Sequence, residues 1–256
     1  MNILIVGDSI SSVASGEDNI YQCGFNDPKN KSWASLIQNQ NKNTTTNLSI
    51  GGQSNANILN HTCLELIKNK NLYDLVIIQW SSLLRINFNE GHTVYSNPKN
   101  FTVDRPTPGY EKFYSIWIKN FLHPRVALLE WMTQIIVLAN FLKQTQIPYM
   151  FIKGFDNFFT DLQHASWQQT SDEFKSTVLY LDALPDQEVD LFYSELKLLF
   201  DIMENQTGYN WLNLRKLSWV DSIVDRADDH LHPGVVSHKN YFCDIITFTE
   251  SLGLNV

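Results

Sequence analysis

The sequence predicts an α/β fold in which helices cover both faces of a mostly parallel sheet. Three observations predict it. Short apolar runs, rich in β-branched and aromatic residues, have the composition of strands buried on both faces. Segments with helical periodicity lie between these runs, an alternation that is typical of α/β domains with right-handed crossovers. The chain has 256 residues, which is enough for one large hydrophobic core.

Four segments are predicted to form the strands of this sheet. Residues 3–6, 75–79 and 149–152 are apolar and are bounded by Gly, Asp or Lys. Residues 46–50 run into a pair of glycines and form the second strand in chain order. Since the first of these segments starts at residue 3, the sheet begins within the first few residues of the chain.

Helices are predicted between these strands and after the last of them. One helix is predicted over residues 33–37, before the second strand. Another precedes the third strand and has apolar side chains at positions 58, 63, 64 and 67. A long helix over about 126–143 precedes the fourth strand. Apolar residues recur at steps of three and four from Val189 to Met203, and the last helix is expected over about 233–252.

Two segments exceed what a minimal α/β sheet needs, and we interpret the chain as a single domain, 1–256, with insertions at about 85–122 and 156–186. Long segments of this kind often carry substrate-binding elements. The first insertion is rich in aromatic residues: Tyr95, Phe101, Tyr110, Phe113, Tyr114 and Trp117.

The charge and the cysteine pattern exclude several classes of function. Lys plus Arg total 19 against 27 Asp plus Glu, a net charge of −8, so we expect no nucleic-acid binding, which needs clustered cations. The three cysteines lie far apart without CxxC spacing, and this pattern indicates neither a disulfide framework nor a zinc site.

Neither a membrane span nor a targeting segment is predicted. The most apolar stretch, residues 126–142, is interrupted by Glu130, Gln134 and Asn140. The N-terminal residues have no basic region before their short apolar run, so they are interpreted as a strand and not as a signal peptide. We expect a cytoplasmic protein.

The first candidate for chemistry is Gly7-Asp8-Ser9, directly after the first strand. Open α/β sheets bind ligands at the carboxyl ends of their strands, where the following helix can direct backbone N–H groups at an anion. A serine at this position is a candidate nucleophile. The alternative is a turn followed by an ordinary helix cap.

The second candidate is Asp229 with His232 and Pro233, near the C-terminus. A serine nucleophile needs a base within hydrogen-bond reach, and the base needs a carboxylate that orients it. Asp-x-x-His on one short loop can supply both groups. The alternative is a solvated acidic loop, since Asp225, Asp228 and His230 are close by in sequence.

Together these two motifs resemble the first and last motif blocks of the SGNH, or GDSL-type, hydrolase superfamily. The resemblance extends over nearly the whole chain. It implies a three-layer α/β/α sandwich of flavodoxin-like topology and hydrolysis of esters without a metal or cofactor. It further implies that Ser9 is the nucleophile, His232 the base and Asp229 the residue that orients His232.

The second block of that family contributes a glycine N–H to the oxyanion hole. Here Gly52 is the closer match, with Gly51 as the alternative, and the Ser9 N–H is expected to serve as a further donor. A plain strand-to-helix turn would have the same two glycines. Gly suits an oxyanion donor because it lets the backbone approach the developing charge closely.

The third block departs from the family pattern, in which Gly-x-Asn-Asp follows the third strand. This chain has Trp80-Ser81-Ser82, so that Trp80 replaces the Gly and Ser82 replaces the Asn. A Ser82 hydroxyl can donate one hydrogen bond, and Asn55 or Arg85 are alternative donors. Loss of one oxyanion donor costs about 10²–10³ in rate.

Further residues near the predicted crevice are candidate substrate contacts. These are Asn55, Trp80, Arg85 and Lys153. Lys153 ends the fourth strand, where it could bind an anionic group of the substrate; the alternative is an exposed surface charge.

These observations favour a serine hydrolase that cleaves an ester, with a carbohydrate O-acetyl esterase or related deacylase as the leading expectation. The partner would be a small-molecule or carbohydrate ester. Two alternatives stay open. The departure at Trp80-Ser81-Ser82 would suit a catalytically weak or inactive module that binds a glycan or a protein. The same site could also transfer the acyl group to a sugar hydroxyl.

Overall fold

The computed structural model describes residues 1–11, 32–40, 43–81, 85–88, 92–95, 124–154, 198–208, 210–212, 219, 222–227 and 232–254. The strands are β1 (Asn2–Val6), β2 (Thr44–Asn47), β3 (Leu75–Trp80), β4 (Arg85–Phe88), β5 (His92–Tyr95) and β6 (Tyr149–Lys153). The helices are α1 (Trp33–Gln38), α2 (Asn55–Asn69), α3 (Pro124–Thr145), α4 (residues 198–207) and α5 (Val235–Ser251). A 3-10 turn, Lys70–Leu72, follows α2.

The main sheet is parallel and has the order β2-β1-β3-β6. Residues 210–212 extend it beyond β6. The Phe151 N–H donates to the Asn210 carbonyl at 2.7 Å, and the Leu212 N–H donates to the Phe151 carbonyl at 3.0 Å. With the separate β4–β5 hairpin left aside, this is the flavodoxin-like order 2-1-3-4-5. The predicted α/β fold with a parallel sheet is confirmed.

Alternating side chains of the central strands build two cores, one on each face of the sheet. Leu4, Val76 and Phe151 are fully buried in the core that includes residues of α2, α3 and α4. Ile5 and Ile77 are fully buried in the core that includes residues of α1 and α5. Each such side chain contributes about 1.5–3 kcal/mol by leaving water. The arrangement is the predicted three-layer α/β/α sandwich.

The predicted elements agree with the structure apart from shifts at their ends. β2 begins two residues before the predicted 46–50, and its pairing continues beyond Asn47, since the Leu48 N–H donates to the Ile5 carbonyl at 2.8 Å. The β4–β5 hairpin, in which Arg85 pairs with Tyr95, lies in the first predicted insertion. The second insertion and the predicted helical segment before residue 198 lie outside the described residues.

By length and composition, α3 is the one helix among the described residues that could cross a membrane. In this fold it packs against the sheet. Trp131, Ile135 and Leu138 are at most 1% exposed, and the Trp131 ring meets the Trp80 ring edge to face at 6.5 Å between centroids. This packing is that of a core helix.

Candidate active site

The serine turn, residues 7–11, follows β1 at the carboxyl edge of the sheet. The Asp8 side chain accepts from the Ile10 N–H at 3.0 Å, and the Asp8 carbonyl accepts from the Ser11 N–H at 3.0 Å. These two bonds reverse the chain tightly, as Asp side chains often do in turns. Ser9 is 5% exposed, so its surroundings restrict which way its hydroxyl can face.

Gln79, near the end of β3, holds the serine turn in place. Its Oε1 accepts from the Asp8 N–H at 3.2 Å and from the Ser11 hydroxyl at 2.8 Å, while its Nε2 donates to the Trp80 carbonyl at 2.8 Å. Gly154 leaves the room that this amide needs, because a Cβ there would lie 1.9 Å from Nε2. The buried amide fixes the position of the turn that carries Ser9.

The glycine turn, residues 50–53, lies beside the serine turn. The Ile50 N–H donates to the Gly7 carbonyl at 3.3 Å, and the Gln53 N–H closes the turn on the Ile50 carbonyl at 3.1 Å. Gly52 has φ of 75°, the conformation that a type II turn requires at its third residue and that favours Gly. Gly52 is thus placed next to the serine turn, two residues after the contact with Gly7.

Ser81, directly after β3, connects the serine turn to α2. Its hydroxyl donates to Asp8 Oδ2 at 3.0 Å. Its backbone N–H donates to Asn55 Oδ1 at 2.7 Å, and its carbonyl accepts from Asn55 Nδ2 at 3.0 Å. Asn55 is 6% exposed, and these bonds assign it a positioning role between α2 and β3.

The two other candidate oxyanion donors lie beyond Ser81. Ser82 is outside the described residues. The backbone of Arg85 belongs to β4, and its side chain is not described. Their roles stay predictions.

Two predicted substrate contacts are instead buried in the interior. Trp80 is 0% exposed and packs against Trp131 and Phe151, so we correct its assignment to a core residue. Lys153 is also 0% exposed, so the alternative of an exposed surface charge is wrong. The physical reason is strand alternation: Trp80 and Lys153 are register partners on adjacent strands and face the core that includes residues of α2, α3 and α4.

The described part of the C-terminal motif lies in a loop, residues 225–227 and 232–234. The Ala227 N–H donates to the His232 carbonyl at 2.9 Å, and the Gly234 N–H donates to the Asp225 carbonyl at 2.9 Å. These bonds join residues 225–227 to residues 232–234. Asp229 lies outside the described residues, whereas His232 is described and is partly buried.

Asp225 anchors this loop to α5. Its carboxylate accepts from the Val236 N–H at 2.9 Å, from the Ser237 N–H at 2.7 Å and from the Ser237 hydroxyl at 2.6 Å. Burial raises the pKa of Asp225, but these hydrogen bonds outweigh it, so the pKa lies below its ordinary value. A carboxylate engaged in capping a helix in this way is an anchor for the loop.

The beginning of α5 lies at the same edge of the sheet as the serine turn. Trp219 is held at that edge, since its N–H donates at 3.1 Å to the carbonyl of Lys153, the last residue of β6. His238, in the first turn of α5, accepts from the N–H of Trp33, the first residue of α1, at 3.3 Å. Burial, with a smaller contribution from nearby His232, lowers the pKa of His238 to about 3. His232 is thus placed at the carboxyl edge, while His238 has a structural role.

No protein-family model and no curated protein matches the sequence. The structure is similar to TesA, with a TM-score of 0.50, 13% identity, and 98% of this chain and 99% of that chain covered. It is also similar to LAE5, an alpha/beta hydrolase enzyme from the metagenome of Lake Arreo, Spain, with a TM-score of 0.50, 10% identity, and coverage of 98% and 95%.

These similarities decide the fold. The chain has the α/β fold of these two proteins. A catalytic mutant of Axe2, an acetylxylan esterase from Geobacillus stearothermophilus, aligns with a TM-score of 0.48, 12% identity, and coverage of 96% of this chain and 93% of that chain. The α/β fold expected from the sequence is therefore shared with TesA and LAE5.

Three residues that support the site were not predicted from the sequence: Gln79, Ser81 and Asp225. Gln79 offered a signal, because it is a polar residue at the end of an otherwise apolar buried strand. Asp225 precedes a helix by about ten residues, a spacing for which no local capping pattern is known. Among the described residues, no group of three or more His, Cys, Asp or Glu could hold a metal ion.

Proposed function

We propose that this protein is a serine hydrolase that cleaves an ester bond, with Ser9 as the nucleophile. One observation carries the proposal: Ser9 sits on a rigid turn at the carboxyl edge of the sheet, directly beside a glycine turn. The Ile50 N–H to Gly7 carbonyl bond joins these two turns. The fold shared with TesA and the His232 loop at the same edge support it.

In the proposed mechanism, the Ser9 hydroxyl attacks the ester carbonyl and His232 takes its proton. Asp229 orients His232 and stabilises the imidazolium. The N–H groups of Ser9 and Gly52, with the Ser82 hydroxyl, donate to the tetrahedral oxyanion. His232 then protonates the leaving alcohol. Water attacks the acyl-enzyme with His232 as base, which releases the acid and restores Ser9. The reaction needs no metal and no cofactor.

For the substrate, we propose a small acyl ester, most specifically an O-acetyl group on a carbohydrate. The aromatic residues of the first insertion support a sugar as the alcohol part, since flat rings offer apolar faces to sugar rings. Ile50, the first residue of the glycine turn, is 44% exposed and offers an apolar contact for a short acyl group. The net charge of −8 argues against a nucleic-acid substrate.

The test compares wild type with Ser9→Ala and, as matched control, Ser251→Ala at the exposed end of α5. With p-nitrophenyl acetate, we expect Ser9→Ala to lower kcat by at least about 10³-fold, because the covalent pathway is lost. Ser251→Ala should retain wild-type kcat. Hydrolysis that survives Ser9→Ala unchanged would refute the mechanism.

The substrate proposal is tested with acetylated polysaccharides, with released acetate as the readout. Release of acetate that requires Ser9 supports a carbohydrate O-acetyl esterase. Activity confined to p-nitrophenyl esters would refute the proposal of a carbohydrate substrate but would still agree with the proposal of an esterase. Transfer of acetyl to an added sugar hydroxyl would identify an acyltransferase instead. Binding of the polysaccharide without hydrolysis of any ester would favour the glycan-binding alternative.

A further inference from the structure

We infer that His61 is a positioning residue for the glycine turn and that it acts through the side chain of Gln53. The inference rests on the proposed function in one respect, because it assigns catalytic importance to the position of the Gly52 N–H. The structural part, that His61 holds the turn, stands without it.

The Gln53 side chain joins the glycine turn to α2. Its Oε1 accepts from the Ile50 N–H at 3.1 Å, and its Nε2 lies 2.7 Å from His61 Nδ1. Gln53 is 1% exposed, so water cannot readily replace either bond. The Ile50 N–H is a donor only, which fixes the orientation of the amide: oxygen towards Ile50 and nitrogen towards His61.

This orientation determines the state of His61. Gln53 presents an N–H to His61 Nδ1, so Nδ1 must be the acceptor and the ring proton must be on Nε2. Burial lowers the pKa of His61 below its ordinary value, and this favours the neutral ring that such an acceptor requires. A neutral His61 therefore accepts from Gln53 and holds the Gln53 oxygen against Ile50.

The geometry of the turn depends on this bond. The Ile50 N–H also donates to the Gly7 carbonyl at 3.3 Å, a long contact that only partly fixes the turn. Without the His61 acceptor, the Gln53 amide can rotate and leave Ile50. Gly52 would then move relative to Ser9. A displaced oxyanion donor slows the reaction, since small errors in position cost up to about 10²-fold.

Two substitutions at position 61 separate positioning from packing. His61→Asn places an amide oxygen near the position of Nδ1, keeps an acceptor for Gln53 and reduces the volume. His61→Phe keeps the aromatic ring and removes the acceptor. A positioning role predicts that His61→Asn resembles wild type and that His61→Phe does not. A packing role predicts the reverse.

Two readouts are measured on the full chain: hydrogen exchange of the Ile50 amide by NMR, and kcat and KM with p-nitrophenyl acetate. In His61→Phe we expect exchange of Ile50 to rise about 5-fold or more, as for the loss of one hydrogen bond. We expect kcat to fall between about 10-fold and about 10²-fold with KM little changed. His61→Asn should restore both values to near wild type.

The outcomes distinguish the inference from the proposed function. If Ile50 exchange is the same in His61→Phe as in wild type, or if His61→Asn raises it as much as His61→Phe does, the inference is overturned. If the wild type hydrolyses no ester while exchange follows the expected pattern, His61 holds the turn and the esterase proposal fails. If Ile50 exchange rises in His61→Phe as expected but kcat stays at the wild-type value, His61 holds the turn but does not position the Gly52 N–H for catalysis.

Discussion

Replacing Gln79 with methionine should destabilise the protein far more than the same replacement at Gln134. Methionine has nearly the length and volume of glutamine, so the change leaves no large cavity. It removes the one acceptor oxygen that Gln79 offers to both the Asp8 N–H and the Ser11 hydroxyl. Gln134 lies partly buried on α3, away from this network, and provides the matched control.

The magnitude follows from the two donors that lose their acceptor. A buried donor left without a partner costs about 1–3 kcal/mol, so the Asp8 N–H and the Ser11 hydroxyl together cost about 2–6 kcal/mol. The Trp80 carbonyl adds little, because it still accepts from the Gly154 N–H at 3.2 Å. The hydroxyl can rotate towards another acceptor, which places the expected loss in the lower half of this range. A loss of that size is a large part of a typical stability of about 5–15 kcal/mol.

Urea unfolding followed by tryptophan fluorescence measures this loss, and the chain has seven tryptophans. We expect a lower midpoint for Gln79→Met at an unchanged slope, and a change within about 0.5 kcal/mol for Gln134→Met. If Gln79→Met were as stable as wild type within about 0.5 kcal/mol, the buried amide would not hold the serine turn as described.

Three further predictions test other parts of the structure. Gly52→Ala and Gly208→Ala should each lower the free energy of unfolding by about 1–3 kcal/mol, measured by thermal unfolding, because the two glycines have positive φ, of 75° and 62°. Only Gly52→Ala should also lower kcat, and equal effects of the two variants on kcat would contradict the role of the glycine turn. Asp225→Ala should lower the free energy of unfolding by about 0.5–2 kcal/mol through the lost helix cap, and it should also reduce kcat. An unchanged midpoint of thermal unfolding would contradict the anchoring role of Asp225. His238 stays neutral in the folded state down to about pH 3, whereas in the unfolded state it takes up a proton below about pH 6.5. Because the unfolded state binds this proton and the folded state does not, His238 lowers the stability of the wild type by up to about 1.4 kcal/mol for each pH unit of acidification between these two values. His238→Asn keeps an acceptor for the Trp33 N–H and should show a shallower pH dependence in urea unfolding; an identical slope would argue against a buried neutral histidine.

The strands of the central sheet could be predicted because β-branched runs covered on both faces have a distinctive composition. β1, β3 and β6 all appear within one residue of their predicted bounds. The prediction of β2 was less accurate. Thr44–Asn47 is a polar segment that, within the described part of the chain, pairs with β1 alone and has no apolar run to mark it.

The support of the site could not be predicted, because its contacts join residues far apart in the chain. Gln79 meets Ser11 across 68 positions, and Ser81 meets Asp8 across 73. No local pattern encodes such pairs. Trp80 was misassigned because its place at a strand end indicated a crevice, whereas strand alternation turns its side chain into the core that includes residues of α2, α3 and α4. For Lys153, the exposed alternative was wrong because the residue is fully buried.

The most direct test of the account is to map where a serine-reactive fluorophosphonate attaches to the intact protein. Mass spectrometry of the digested chain should find the adduct on Ser9 in the wild type, and His232→Ala should react far more slowly because Ser9 then lacks its base. Failure of the wild type to react, or an adduct on Ser11 or Ser81 instead, would contradict the assignment of Ser9 as the nucleophile.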